Sequence, residues 1–266
     1  AINLHAENKF VIEGRVANVP DGLIVELLRN EDNVGMLVAS DTLRNGKFRF
    51  EEETSGNGTD WMFLTARTEN YYSMILYLWV RPGSSIRISA DNLLVYTWNV
   101  ESDVPEQQTR SKILASSRDL WNEYQILDGD YDSLRSRIKS GKYSGEEKKR
   151  QKARLDSMKQ AKSMLQDRIS AVELEAMAKL DVDQAWMLNY VNTAYMVNIS
   201  KNKDNLEKAK ALYAYIPDVW RDSFSGREAK NVLFPQHVVE VGEEAADADL
   251  YDIDGKLWHL SDFRGR

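Results

Sequence analysis

The hydrophobic period of the chain changes once, near residue 103, and this change constrains the fold more than any other feature. Before it, short apolar runs alternate with polar residues and are separated by turn residues, which is typical of β-strands. After it, apolar residues recur every three or four positions over long stretches, which is typical of amphipathic α-helices. We therefore predict an α+β chain, with a β-rich domain over residues 1–102 and a helical domain over residues 103–236.

The β-rich domain is predicted to contain seven or eight short strands. Alternation is clear over residues 9–16 and 47–50, whereas residues 72–80 are apolar at both parities, as expected for one central strand covered on both faces. Asn45-Gly46 is a strong hairpin signal. Strands of this length and spacing predict an antiparallel β-sandwich.

The helical domain is predicted to contain about five helices. A first helix begins around Asp103 and Glu106 and ends at Asp128-Gly129, and a short one follows to Gly141. Ser144 and Glu147 have capping-box spacing and open a long helix whose apolar stripe is interrupted by Lys162. The remaining helices are predicted over residues 183–198 and 205–216, with a last short one from residue 225.

Composition excludes several classes of protein. The net charge of the 266 residues is −7, and nucleic-acid binders normally carry a basic field, so we expect no nucleic-acid partner. No run of about 18 apolar residues occurs, so we expect no membrane-spanning segment. The chain has no cysteine. Disulfides, thiolate metal sites and thiol catalysis are therefore excluded within these residues.

The segment 241–266 has the pattern of a domain's first hairpin. It reads VGEEAADADLYDIDGKLWHLSDFRGR, with two short apolar runs on either side of the turn dipeptide Asp254-Gly255. A lone hairpin is marginal in water, so we expect further strands or a helix to be needed to cover it. Its apolar residues Ile253, Leu257 and Leu260 are expected either to pack on the helices or to be disordered.

This segment resembles the opening of the peroxiredoxin/thioredoxin-like domain of membrane-attached thiol–disulfide oxidoreductases. The family pattern is roughly G-x-x-A-P-D-F-x-L, D-G-K and L-S-D-F-K-G-K, followed by a buried strand and a W-C-x-x-C motif. The matching positions are Gly242, Ala245, Asp247, Leu250, Asp254, Gly255, Lys256, Leu260, Ser261, Asp262, Phe263 and Gly265. The chain departs from the pattern at Ala246, where proline is usual, and at Ala248, where an aromatic residue is usual.

The β-rich region carries a second resemblance. Its motifs are F-x-I-x-G-x-V (residues 10–16), S-D-T (40–42) followed by N-G-K-F-R-F (45–50), and W-V-R-P-G-S-S-I-R-I (79–88). They look like the β-rich domain of unassigned function that precedes the thioredoxin-like domain in many Gram-negative envelope proteins. Together the two resemblances imply a location in the periplasm or on the outer surface, with lipid anchoring through a removed N-terminus. They also imply that residues 237–266 are the truncated start of a thioredoxin-like domain, ending before its C-x-x-C motif.

Two functions follow as expectations. The first is the non-catalytic N-terminal portion of a periplasmic thiol–disulfide oxidoreductase, which positions the redox domain and binds a protein client or redox partner. The alternative is a stand-alone envelope binding or scaffold module that recognises a glycan, peptide or protein. Under either, the sequence predicts no catalytic, cofactor-binding or metal-ligating residue and no cofactor, and it leaves the oligomeric state open.

Several residues nevertheless could form sites, and each has a structural interpretation. The histidines His5, His237 and His259 are too far apart in sequence to suggest a metal cluster. Glu51 to Glu53 alternate along a strand end and cannot converge, and Asp130 with Asp132 lacks the remaining calcium-loop positions. Residues 142–170 hold nine Lys/Arg against four Asp/Glu, which favours a solvated helix face over a patch for anionic lipid or an acidic partner.

The aromatic residues of the β-rich region could form a ligand or partner surface, although most are expected to be core residues and cross-strand pairs. They are Trp61, Phe63, Tyr71, Tyr72, Tyr77, Trp79, Tyr96 and Trp98.

Overall fold

A computed structural model describes residues 8–31, 34–56, 58–69, 71–235, 243, 247 and 250–263. The chain divides into two compact units, one reaching to Leu233 and one from Phe234 onwards. Strands and helices are both abundant, which confirms the α+β class. Whether residues 1–102 and 103–236 are separate domains stays a prediction.

The first sheet has four strands, which are β1 (Lys9–Val16), β4 (Lys47–Glu53), β8 (Ser85–Ala90) and β9 (Asn99–Glu101). Their order in the sheet is β4-β1-β8-β9. β1 pairs antiparallel with β4 but parallel with β8, and β8 pairs antiparallel with β9. The expectation of purely antiparallel pairing is therefore wrong for β1 and β8, because a long connection through the second sheet brings the chain back in the same direction.

The second sheet is antiparallel throughout its described pairings and contains five strands. They are β2 (Ile24–Glu31), β3 (Val34–Thr42), β5 (Asp60–Thr68), β6 (Tyr71–Tyr72) and β7 (Leu76–Val80). The prediction of one strand over residues 72–80 is wrong, because β6 and β7 are separate strands that both pair with β5. The Ser73 hydroxyl accepts a 2.8 Å hydrogen bond from the Ala66 amide in the gap between them.

Buried side chains from both sheets form one hydrophobic cluster. The alternation predicted for residues 47–50 is confirmed, since Phe48 and Phe50 are buried while Lys47 and Arg49 are not. Phe48 lies opposite Gly14 of β1, and a Cβ atom at Gly14 would lie 1.9 Å from the Phe48 ring. The glycine of one motif thus makes room for the phenylalanine of another. The sandwich arrangement itself stays a prediction.

Asn45-Gly46 forms the predicted turn, but the strands on either side of it do not pair as a hairpin. Both residues have positive φ, 51° and 67°, and Arg44 and Lys47 bridge across them. The strands on either side then separate, because β3 joins the second sheet and β4 the first. The turn therefore carries the chain from one sheet to the other.

Six helices follow in the described chain. They are α1 (Pro105–Lys139), α2 (Gly145–Met177), α3 (Gln184–Ser200), α4 (Lys203–Tyr213), α5 (Asp218–Arg221) and α6 (Phe224–Leu233).

The prediction that a helix ends at Asp128-Gly129 is wrong, since α1 runs through both residues. A glycine inside a helix costs about 1 kcal/mol relative to alanine. Contacts with α2 offset that cost, because Asp128, next to the glycine, binds Lys162 of α2. Asp103 is not the cap either. Val104 occupies that position, and Glu106 instead pairs with Arg81 at 2.7 Å.

The polar interruption in the α2 stripe has a specific partner set. Lys162 lies over the rings of Tyr124 and Tyr131, 5.3 Å and 4.7 Å from their centroids. Together with Asp128, these rings hold the ammonium group between α1 and α2. An apparent break in the heptad-like pattern is therefore part of the interface between the two long helices.

The second unit contains a hairpin of β10 (Leu250–Tyr251) and β11 (Leu257–Trp258), followed by a 3₁₀ turn over Leu260–Phe263. Gly255, at φ +76°, lies in the turn between the strands, as the sequence predicts. Ile253 is fully exposed, and Leu257 and Leu260 are also exposed.

Candidate functional site

A cavity of about 510 Å³ lies where β7 and the 3₁₀ turn Val95–Thr97 meet the helices α1, α2 and α3. Most of its wall is apolar or aromatic. Its charged groups are Arg110 from α1 and Glu173 from α2, and Asn189 from α3 is a further polar group. Each comes from a different helix, so the cavity depends on the packing of all three.

Arg110, the cation of this cavity, is deeply buried, with 2% of its surface exposed. Its Nη1 donates a 2.5 Å hydrogen bond to Oδ1 of Asn189. Asn189 is itself held in place, because its Nδ2 donates to the Ala185 carbonyl at 2.7 Å. The acceptor that Arg110 uses is therefore fixed by the backbone of α3.

Two tyrosine rings form the walls beside the guanidinium. Its carbon lies 5.6 Å from the centroid of Tyr77 and 5.1 Å from that of Tyr96, within range of cation–π attraction. Burial raises the pKa of the Tyr96 hydroxyl to about 12, although Arg110 opposes this shift. Tyr96 therefore remains protonated, and both rings stay neutral beside the cation at neutral pH.

The other two guanidinium nitrogens of Arg110 are Nε and Nη2. Both are buried, and neither has a partner with the distance and angle of a hydrogen bond in the described part of the chain. In a planar guanidinium the N–H groups of Nε and Nη2 point in parallel from the same edge, which is the edge that binds a carboxylate with two hydrogen bonds. Nη1, which binds Asn189, lies away from that edge.

Glu173 places a negative charge in the same cavity. Its Oε1 accepts hydrogen bonds from Ser117 Oγ and Trp121 Nε1, both at 2.7 Å. Burial would lower the pKa of Arg110, but interactions with Tyr96 and Glu173 outweigh burial and raise it above its usual value. Arg110 is therefore charged, and Glu173 stabilises that charge without forming an ion pair with it among the described contacts.

The cavity opens along the second half of α3. Met196 and Ile199 line it and are also 39% and 71% exposed. Tyr195, beside them, donates a 2.8 Å hydrogen bond to Glu228. The groups facing the cavity are hydrogen-bonding side chains and aromatic or apolar surfaces, which suit the binding of a ligand.

Two of the aromatic residues that the sequence singled out lie at the cavity. Tyr77 and Tyr96 line the cavity, whereas Trp79 and Trp98 are core residues and Tyr72 is exposed. Glu51 pairs with Lys9 and Arg49 at a strand surface. Asp130 and Asp132 are exposed on α1, and Lys149 and Arg150 pair with glutamates three residues earlier on α2.

Of the three histidines, the structure describes His259. His259 lies in the second unit, 3.9 Å from Asp262, while His5 and His237 lie outside the described residues. Among the residues that the structure describes, no group of three or more His, Cys, Asp or Glu side chains could hold a metal ion.

Sequence reasoning missed Arg110, Glu173 and Asn189. A signal for the first was present, because Arg110 lies at helical spacing from Gln107, Ile113, Leu114 and Ser117, which are all buried. A cation on the buried stripe of a helix requires a partner or a ligand.

No protein-family model matches the chain, and no curated protein or solved structure is detectably similar to it. Within the described residues, no helix has both the length and the apolar character needed to cross a membrane.

Proposed function

We propose that this chain is the non-catalytic N-terminal portion of a thiol–disulfide oxidoreductase of the Gram-negative envelope. The observation that carries the proposal is the second unit, in which residues of the family-like motif contact one another. Asp247 accepts hydrogen bonds from the Ser261 amide at 3.1 Å and from its hydroxyl at 2.7 Å. Asp262 accepts a 2.9 Å bond from the His259 amide.

The turn of the same unit is organised by Asp252. Its carboxylate accepts hydrogen bonds from the amides of Asp254 and Lys256 and from Nε1 of Trp258, at 2.8–3.0 Å. These bonds lower the pKa of Asp252, with the Trp258 bond contributing most. These hydrogen bonds explain why an aspartate stands at the first position of the D-x-D-G-K segment. This supports the interpretation of the segment as part of the first hairpin of a domain.

In this proposal the first unit positions the redox domain and binds its client or redox partner. The disulfide exchange would be carried out by a C-x-x-C site beyond residue 266, in which a thiolate of lowered pKa attacks a disulfide. The 266 residues contribute no thiol to that reaction.

Insulin reduction driven by dithiothreitol tests the proposal. The 266-residue chain should not accelerate the reaction, whereas the chain extended by the coding sequence that follows Arg266 should do so. The matched control is the extended chain with both cysteines of the C-x-x-C motif changed to serine, which should be inactive. Turnover by the 266-residue chain, or a downstream sequence without C-x-x-C, would overturn the proposal.

A stand-alone envelope binding module is the second candidate, and the cavity around Arg110 favours it. A preformed apolar cavity with a few convergent polar groups is the usual form of a ligand site. This candidate predicts that ligand binding by the 266-residue chain is its whole activity. A stop codon directly after Arg266 would favour it over the oxidoreductase.

A further inference from the structure

We propose that β3, at the edge of the second sheet, pairs antiparallel with β3 of a second copy of this chain, so that the two copies share one continuous sheet. This inference goes beyond the redox proposal and does not depend on it, because every residue that it uses belongs to the first unit.

The position of β3 in its sheet is the first reason. Within the described pairings, β3 is bonded to β2 on one side and stands at the end of the order β3-β2-β5-β6. The amide and carbonyl groups along its other side have no strand partner there. Such an edge accepts a further strand, because the backbone groups of that strand satisfy them.

The side chains at the start of β3 are the second reason. Val34, Met36 and Leu37 are 58%, 50% and 60% exposed. Native proteins usually protect an edge strand with charged residues or proline, and this segment has neither. The register of β3 against β2 shifts only at Val38, so residues 34–37 form a regular strand segment.

The apolar surface at this edge continues into the sheet. Leu37 lies opposite Leu28 of β2, and Leu28 lies opposite Phe63 of β5. A Cβ atom at Gly35 would lie 3.2 Å from the side chain of Leu28 and 3.3 Å from that of Phe63, so these groups share one face. A strand that pairs with β3 therefore extends an apolar row as well as a hydrogen-bond ladder, and the buried apolar area stabilises the pairing.

The charge pattern identifies the occupant as a second copy. Residues 34–40 contain no charged side chain, and the carboxylate of Asp41 accepts hydrogen bonds from the amides of Thr42 and Arg49 at 2.7 and 2.9 Å. Two copies with a net charge of −7 repel each other at long range, so an uncharged edge is where they can approach. An antiparallel pair of these segments opposes apolar residues to apolar residues, which makes β3 complementary to itself.

Sedimentation equilibrium of the 266-residue chain tests the association. We expect a dimer with a dissociation constant on the order of 10–100 μM, as for a small interface. The dimer should tighten several-fold between about 20 mM and about 500 mM NaCl, because salt screens the repulsion. A chain that stays monomeric at about 0.5 mM protein would overturn the proposal. A monomer that binds an added uncharged strand peptide instead would assign the edge to another partner and would overturn it as well.

Lysine substitutions locate the interface. Met36→Lys and Leu37→Lys should each weaken the dimer roughly tenfold or more, because each places like charges close together in the shared sheet. Val219→Lys is the matched control, since Val219 of α5 is 76% exposed and gains the same charge. Loss of the dimer in Val219→Lys, or full affinity in both β3 variants, would contradict the assignment.

Cysteine cross-linking tests the antiparallel geometry. Because the chain has no cysteine, a single one introduced on β3 can form a disulfide only with the same residue of a second copy. Opposite residues of antiparallel strands have Cα atoms about 4.5–5.5 Å apart, which a disulfide can span. They also share a face, so one residue of β3 must lie opposite itself at the two-fold axis. The fastest of four single-cysteine variants over residues 34–37 should cross-link roughly tenfold or more faster than Val219→Cys. Equal rates for all five variants would overturn the pairing.

Discussion

Arg110 and Asn189 are 79 positions apart in sequence and joined by a 2.5 Å hydrogen bond between Nη1 and Oδ1. The bond links α1 to α3 at the wall of the cavity and satisfies Nη1 of this buried guanidinium. The stability of the helical region and the geometry of the cavity therefore depend on the same pair.

Asn189→Leu should lower the free energy of unfolding by about 2–3 kcal/mol, because it leaves Nη1 of a buried guanidinium without its hydrogen-bond acceptor. The double variant Arg110→Met/Asn189→Leu should be less destabilised than the sum of the single changes, by about 1–2 kcal/mol. Urea denaturation of the four proteins measures the coupling. Strict additivity would mean that the hydrogen bond does not form in solution.

Replacing Glu173 by glutamine should destabilise the protein less than replacing it by leucine. Glu173→Gln retains an acceptor for Ser117 and Trp121, whereas Glu173→Leu removes it and should cost about 2–3 kcal/mol. Glu175, two residues later on α2, is exposed and pairs with Lys208, so Glu175→Gln should leave the urea midpoint unchanged. Equal effects of Glu173→Gln and Glu173→Leu would argue against these hydrogen bonds.

Asp183 should make stability depend on pH in a direction opposite to most carboxylates. It caps α3 by accepting a 2.7 Å bond from the Trp186 amide, yet burial raises its pKa above 3.8. Because the folded pKa is raised, the contribution of Asp183 to stability is fully present below 3.8 and is lost as pH rises through the folded pKa.

Asp183→Asn retains the cap and cannot ionise, so its stability relative to the wild type should increase as pH rises through this window. Asp183→Ala should cost about 1 kcal/mol through loss of the cap. The control is Asn202→Ala, which removes the cap of α4 without removing an ionisable group. Thermal unfolding across this pH range compares them. An increase in the stability of the wild type relative to Asp183→Asn as pH rises would contradict the prediction.

Gly14→Ala should destabilise the β-sheets by roughly 1–3 kcal/mol, because its Cβ would overlap the Phe48 ring. Adding Phe48→Leu should recover part of this loss, since a smaller side chain leaves room for the methyl group. Gly56→Ala is the control, because nothing lies within 4 Å of a Cβ there. Chemical denaturation that finds Gly14→Ala as stable as Gly56→Ala would contradict the packing.

The contact between Gly14 and Phe48 also illustrates what could be predicted. Local patterns gave the strands over residues 9–16 and 47–50, the turn at Asn45-Gly46 and the helical class beyond residue 103. They gave neither the parallel pairing of β1 with β8 nor the continuation of α1 through Gly129, because both depend on contacts between distant parts of the chain. Helix and strand propensities determine the structure of a segment only where tertiary packing does not override them.

The cavity was not predictable for the same reason. Tyr77, Tyr96, Arg110, Glu173 and Asn189 come from five different elements, and no local spacing relates them. A cation on the buried face of α1 was the one available signal. Such a cation indicates that a partner or ligand lies beside it, but the residues that supply the partner are distant in sequence.

The hairpin of the second unit should exchange its amide hydrogens quickly. β10 and β11 are two residues each, Ile253 is fully exposed, and isolated two-stranded hairpins are marginal in water. Hydrogen exchange read by mass spectrometry should find residues 250–263 far less protected than β5, a central strand of its sheet. Protection over 250–263 equal to that of β5 would contradict this expectation.

The most direct measurement of the proposed function compares insulin reduction by dithiothreitol in the presence of the 266-residue chain and of the chain extended past Arg266. We predict that the extended chain accelerates the reaction and that the 266-residue chain, which has no cysteine, does not. Acceleration by the 266-residue chain, or none by the extended chain, would contradict the account.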